Sequence, residues 1–171
     1  MHKPPEMIGL ISDTHGLLRQ EALRALRGSE LIIHAGDVGS PEIISALEEL
    51  APVVAVRGNA DSGPWARALP LTAVAHAGPV SIYVLHNLHV LKLDPAAARF
   101  YHVVVSGHSH KPQKQEHAGV LYINPGSAGP RRFRLPVTVA RLDLDAKPWK
   151  LEFVELDKKP GSTQPLCGGG R

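Results

Sequence analysis

Five short clusters along the chain carry side chains that ligate divalent metals. They read Ser12-Asp13-Thr14-His15-Gly16, Gly36-Asp37, Gly58-Asn59, His86 and Gly107-His108-Ser109-His110. Carboxylate, carboxamide and imidazole together are the donor set of paired transition-metal sites. Nearly every cluster follows a short apolar run with strand character. Ligand sites of open α/β sheets form at such carboxyl ends of strands. Seven ligand-type residues at five strand ends therefore indicate a two-metal site. Two ions sharing a hydroxide form an arrangement that cleaves phosphate esters.

Each cluster has a plainer alternative. Asp13 and His15 are two apart, so at a strand exit both side chains can point to one ion, or Asp13 can simply make an Asx-turn. Asp37 has two carboxylate oxygens and can bridge two cations, or it is a turn aspartate. Asn59 offers a neutral oxygen and leaves an NH₂ to donate to an anion, or it too is a turn residue. The pair His108 and His110, placed after a glycine and a buried strand, is harder to assign to packing. His86, at the end of the Ile82–Leu85 run, supplies the remaining nitrogen.

The elements that must present these residues can be read from periodicity. Continuous apolar runs at Met7–Ile11, Leu31–Ala35 and Val53–Val56 predict buried strands. Between them Leu18–Leu26 predicts an amphipathic helix ended by Gly28. Pro41–Leu50 predicts a second helix, with Ser40 as N-cap and Pro41 in the first turn. This β-α-β-α-β order implies parallel strands. Strands follow at Leu71–Ala75 and Val80–Leu85, joined by a turn at His76-Ala77-Gly78-Pro79. A helix over Asp94–Phe100 comes next, then strands at Val103–Val105 and Val120–Ile123. Val137–Leu144 and Leu151–Leu156 form a terminal pair. The expected organisation is one domain over residues 1–157 and a disordered Pro/Gly-rich tail over 158–171.

Composition narrows the function. The chain has 171 residues, 43% hydrophobic and 20% charged, which fits a globular domain with a full core. The formal net charge of +3, without a dense Lys/Arg block, does not indicate nucleic acid as a partner. No apolar run reaches the roughly 20 residues of a membrane span, and no signal peptide is evident. The one cysteine, Cys167, permits no intrachain disulfide, consistent with a cytoplasmic location.

The order D-x-H, G-D, G-N, H, G-H-x-H resembles that of the calcineurin-like metallophosphoesterases. The short length, the run Arg57-Gly58-Asn59-Ala60-Asp61 and Asn124-Pro125-Gly126-Ser127 resemble its small single-domain bacterial and archaeal phosphodiesterase branch. The resemblance spans Met7 to Leu156. It implies an α/β fold, a four-layer α/β/β/α sandwich of two mixed β-sheets flanked by helices. It assigns Asp13, His15, Asp37 and His110 to one metal, and Asp37, Asn59, His86 and His108 to the other. Asp37 is then the bridge, and Asp37 and Asn59 are catalytic. Two divalent ions, two aspartates and a bridging hydroxide leave a single net positive charge, favourable to an anionic phosphate. The implied reaction is in-line attack of that hydroxide on phosphorus. The implied cofactors are two divalent metal ions, Mn²⁺ foremost, with Fe, Zn, Ni, Co and Mg as alternatives. The implied partner is a small phosphate-ester substrate, and the branch often forms homo-oligomers.

Two positions depart from the family pattern. Ala60 stands where many relatives place a histidine assigned as general acid, although this branch usually lacks it. Asn87 stands where glycine is common, and Asn is the best non-Gly residue for a left-handed backbone. Ala60 disfavours the alternative of a phosphomonoesterase. The complete ligand set disfavours a non-catalytic protein-interaction scaffold, the role of a eukaryotic relative in the retromer coat. Asp61 reads equally as a turn residue or as one that orients a ligand. His34 reads as a packed strand histidine able to hydrogen-bond a ligand. Arg57 and Arg131-Arg132-Phe133-Arg134 read as solvated basic loops with a phosphate-contact alternative. Asn124–Ser127 reads as a turn bracing the site, and His2, His76, His89, His102 and His117 as surface or structural residues.

Overall fold

The structure, a computed structural model, describes residues 3–90 and 100–158. Its first sheet is built on β1 (Met7–Ile11), β2 (Leu31–His34) and β3 (Val53–Ala55), joined by helices α1 (Gln20–Leu26) and α2 (Pro41–Glu48). These strands pair in parallel, as their helical crossovers require. A helix α3 (Pro64–Arg67) leads to β4 (Thr72–Ala77) and β5 (Val80–Leu85), with a 3₁₀ turn at Leu88–Val90. The chain continues through β6 (Val103–Val105), β7 (Gln113–His117), β8 (Val120–Asn124), β9 (Thr138–Asp143) and β10 (Lys150–Glu155). The strand orders are β10-β9-β1-β2-β3 and β4-β5-β6-β8-β7, and each sheet mixes parallel and antiparallel pairs.

Alternation of inward residues splits the core into layers. Ile8, Leu10 and Ile33 of the first sheet meet Ile82, Val84, Val103 and Val105 of the second in the cluster between the sheets. On the first sheet's other face, Ile11, Ile32 and Val139 pack on Ala22 and Leu26 of α1 and Ile43 and Leu47 of α2. The second sheet's outer face carries Leu85, Val104 and Val120. Two mixed five-stranded sheets packed face to face, with α1 and α2 on the outer face of the first, are the sandwich expected. The helix expected over Asp94–Phe100 lies, except for Phe100, outside the described residues, as does all of the expected tail after residue 158.

Several boundaries differ from expectation for local reasons. Helix α1 starts at Gln20 rather than Leu18, because Leu17 N–H closes a turn on Thr14 O at 2.9 Å that belongs to the site loop. Strand β4 runs through His76 and Ala77, which pair with Ser81 and Val80, so the turn shrinks to Gly78-Pro79. Strand β7 was not expected, since Gln-Lys-Gln-Glu-His shows no apolar alternation. It is an edge strand exposed along its length, held to β8 by a two-residue turn. Both turn residues, Ala118 and Gly119, have positive φ, the combination that matches strand twist. The short helix α3 was also not expected. Among the described residues no helix is long and apolar enough to cross a membrane.

Candidate metal centre

The loops after β1 and β2 continue side by side beyond their strands. Asp13 N–H donates to Gly36 O at 3.0 Å, His15 N–H to Asp37 O at 2.9 Å and Gly16 N–H to Val38 O at 2.9 Å. This extended pairing brings Asp13, His15 and Asp37 together. The loop after β3 is tied to the second by Asp61. Its Oδ2 accepts Val38 N–H at 3.2 Å and Gly58 N–H at 2.9 Å, and its Oδ1 accepts Gly39 N–H at 2.9 Å. From the other sheet, Asn124 Nδ2 donates to Gly107 O at 2.9 Å and to Ser109 Oγ at 3.0 Å. Ser127 Oγ donates to Asp13 O at 3.1 Å. Asn124–Ser127 therefore braces the site, as read from the sequence.

All seven candidate ligands converge, in two adjoining groups. In one, Asp13 Oδ1 lies 3.2 Å from His110 Nε2 and 3.8 Å from His15 Nε2, and the two imidazole nitrogens are 3.4 Å apart. In the other, Asn59 Oδ1 lies 3.0 Å from His86 Nε2 and 3.0 Å from His108 Nδ1. Asp37 Oδ2 stands between the groups, 3.2 Å from His86 Nε2 and 3.7 Å from His15 Nε2. Two sets of three can each offer ligand atoms to a single cation: Asp13, His15 and His110, and Asp13, Asp37 and His86.

The donor chemistry fits cations. Asp13 is fully buried; its Oδ2 accepts from Ser12 Oγ at 2.7 Å and from His108 N–H at 3.1 Å. Its Oδ1 accepts nothing. A buried carboxylate oxygen with no donor is costly unless a cation satisfies it. His86 Nδ1 meets Ala35 O at 2.7 Å, which fixes the proton there and turns the Nε2 lone pair into the site. Burial opposes ionisation of Asp37, but the His86 imidazole and the Ala60 N–H outweigh it and hold the carboxyl below its usual range. Burial likewise opposes charge on His86, and the Asp37 carboxylate overrides it and raises the imidazole. For Asp13, burial is outweighed by His110 and the Ser12 hydroxyl, and the carboxyl is lowered. Without a cation the site thus keeps its aspartates charged and draws protons onto imidazole, where a metal would replace them.

The backbone carries the same information. Asp13, His15, Asp37, His108 and His110 all have positive φ, at 55°, 47°, 52°, 71° and 62°. Such values are uncommon in non-glycine residues, cost on the order of 1 kcal/mol each or more, and cluster at functional sites. The i, i+2 spacing therefore acts through left-handed turns rather than strand alternation. Asp13 and His15 converge on one group, whereas His108 and His110 go one to each. The glycines beside the ligands answer a steric need: a Cβ on Gly58 would fall on the Asp37 carboxylate, and one on Gly107 on the Ser12 hydroxyl.

His34 is fully buried and packed, as the plainer reading had it, yet it also ties loops together. Its Nδ1 accepts Gly36 N–H at 3.1 Å, and its Nε2 meets Thr14 Oγ1 at 2.9 Å. Asp61 is both a turn residue and an organiser of the site loops. Of the basic residues, Arg131 pairs with Asp157 at 3.1 Å, and Arg57 lines a cavity opening on Asn59 and His86. Ser12 and Thr14 stood in the first cluster with no role assigned from the sequence. Only their contacts reveal one.

The model of the calcineurin-like phosphoesterase superfamily domain matches residues 7–147. A Methanothermobacter thermautotrophicus protein described as a probable metallophosphoesterase is 34% identical, covering 82% of this chain and 90% of its own length. Among solved structures, a predicted phosphoesterase of Streptococcus pneumoniae aligns with a TM-score of 0.71 at 28% identity, covering 92% of this chain and 94% of that one. An archaeal phosphodiesterase aligns with a TM-score of 0.71 at 26% identity, over 86% and 99%. The family match covers most of the domain, and every cluster of the D-x-H to G-H-x-H series falls within it, so the chain belongs to the calcineurin-like phosphoesterase superfamily.

Proposed function

We propose that the protein is a metal-dependent phosphodiesterase with a dinuclear centre held by Asp13, His15, Asp37, Asn59, His86, His108 and His110. The observation that carries this reading is the position of Asp37 Oδ2, within 3.7 Å of His15 on one side and 3.2 Å of His86 on the other. A carboxylate oxygen so placed can serve two cations at once. Two divalent ions there would activate a water for attack on phosphorus and offset charge on the phosphate oxygens.

The chain's own groups hold and orient. Asp37 is pinned through its other oxygen by the Ala60 N–H at 2.8 Å. Asn59 turns Oδ1 toward His86 and His108, which leaves its NH₂ to donate to a phosphate oxygen. No side chain at position 60 can protonate a departing alkoxide. Diesters with good leaving groups are therefore favoured over alkyl monoesters. The archaeal phosphodiesterase of the same fold supports the diester reading. Mixed nitrogen and oxygen ligation suits Mn²⁺ among several first-row ions.

The test is hydrolysis of an activated aryl diester and the matching monoester after chelation and after restoring Mn²⁺. The expected result is activity that disappears with chelator, returns with metal and favours the diester. Undiminished turnover in metal-free protein would overturn the metal mechanism. Faster monoester turnover would overturn the diester assignment.

A further inference from the structure

A cavity of about 620 Å³ opens directly beside the half of the centre formed by Asn59 and His86, both of which line it. Its volume lies in the range of small-molecule sites, roughly 300–1,000 Å³. Away from those two residues its apolar wall is formed by Leu71, Tyr83, Leu85 and Val90, with Thr72 and Asn87 as polar lining. Leu71 and Val90 are 61% and 64% exposed, although large apolar side chains beside a polar site gain nothing from solvent. Tyr83 presents an aromatic ring stiffened by a tilted contact with Tyr101, centroids 5.0 Å apart. Arg57 lines the same cavity and has no carboxylate within 4.0 Å among the described residues. One end thus suits a phosphate, a guanidinium stands alongside, and the remainder suits a flat apolar group.

We propose that this cavity is the subsite for one ester substituent, and that it takes a planar aromatic group attached to the phosphate. This rests on the phosphodiesterase reading for the position of the phosphate, and it goes further by naming the substrate class as aromatic phosphate esters. A ring seated on Tyr83 between Leu71 and Val90 removes apolar surface from water on both partners, which a methyl ester cannot do. Aryl esters and nucleotide esters both supply such a ring.

The test is calorimetric titration of the Mn²⁺-loaded full chain with inorganic phosphate, methyl phosphate, phenyl phosphate and a nucleoside monophosphate. The proposal expects phenyl phosphate to bind about tenfold or more tighter than methyl phosphate. In Leu71→Asp and in Val90→Asp, whose side chains are too exposed to support the core, that preference should fall toward one. Inorganic phosphate, titrated into the same variants, reports whether the phosphate end is intact. A nucleoside monophosphate that matches phenyl phosphate assigns the subsite to nucleotide esters, and one that only matches methyl phosphate assigns it to simple aryl esters. Equal affinity for phenyl and methyl phosphate in the wild-type chain would overturn the subsite while leaving the metal centre standing. A preference that survives both substitutions would also overturn it. Failure of every phosphate to bind the metal-loaded chain would overturn the centre and the subsite together.

Discussion

The Ala60 backbone N–H donates to Asp37 Oδ1 at 2.8 Å, so the residue that lacks an acidic side chain is also the one that aims the carboxylate proposed as the bridge. With Oδ1 held in this way, only Oδ2 faces the imidazoles of His15 and His86. Asp37 is expected to be the most damaging single position. In Asp37→Ala both metals should be depleted, whereas His110→Ala should retain the ion at Asn59, His86 and His108. Metal analysis of the two purified variants distinguishes them. Two ions per chain in Asp37→Ala would show that it is not the bridge.

Asp61 should behave as a positioning residue. Its carboxylate accepts three backbone N–H groups from two site loops and is 8% exposed. Replacing it with Ala leaves buried donors unpaired, at a cost of about 2–4 kcal/mol in stability. Metal affinity should also fall, roughly 10–100-fold, as for partners that orient ligands. Metal titration and denaturant melts read the two effects. A rate loss at saturating metal, with stability and affinity both at wild-type values, would instead mark Asp61 as acting on the substrate.

Leaving-group dependence should be steep. Asp61, the nearest acidic residue in sequence, is committed through both oxygens to backbone donors, and Ala60 has no proton to give. General acid assistance is worth roughly 10²–10⁴-fold, and the expectation is that this factor is lost here. Rates for substituted aryl diesters under saturating Mn²⁺ should drop sharply as the leaving phenol's pKa rises. A flat plot, with chemistry shown to limit the rate, would reveal an acid supplied by another residue.

His34 is expected to make the stability of the metal-free fold pH-dependent. Burial first, and the nearby His86 imidazole next, depress its pKa from 6.5 to about 4, against the pull of the Asp13, Asp61 and Asp37 carboxylates. Thr14 Oγ1 donates to Val38 O at 2.8 Å, so it must accept from His34 Nε2–H, and the Nδ1 lone pair is already used by Gly36 N–H. A second proton has nowhere to go. Between the folded and unfolded pKa values the unfolded chain holds a proton that the folded chain does not. Stability is therefore full above pH 6.5 and falls as pH drops toward about 4. At about pH 5 the loss should be about 2 kcal/mol relative to neutral pH. His34→Gln can keep both hydrogen bonds without titrating, so chelated His34→Gln should lose less stability over this interval. Equal pH slopes for the variant and the wild type would refute the assignment.

The candidate ligands and most of their strands were legible in the sequence. Apolar runs mark buried strands, and a candidate ligand cluster follows each of β1, β2, β3, β5 and β6 because that is where such sheets expose their loops. Strand β7 and helix α3 were not legible. Gln113–His117 becomes a strand only because β8 is there to pair with it, and edge position removes the need for apolar side chains. Sequence order alone also gives no distances. That Asp13 and His108, 95 residues apart, share a hydrogen bond depends on how the two sheets stack.

The sequence by itself determined which side chains could bind metal and in what order along the chain, because ligand type and local spacing are covalent properties. Tertiary structure alone decided three further things. Left-handed turns, rather than strand alternation, aim Asp13, His15, Asp37, His108 and His110. Asp61, His34 and Asn124 act as ties between loops, and an Asp in a turn looks the same in sequence whether or not three amides reach it. The cavity walled by Leu71, Tyr83 and Val90 exists because β4, β5 and the 3₁₀ turn meet beside Asn59. Each of these depends on segments brought together only when the two sheets bury their shared apolar face, and the packing constraint that positions them has no local signature.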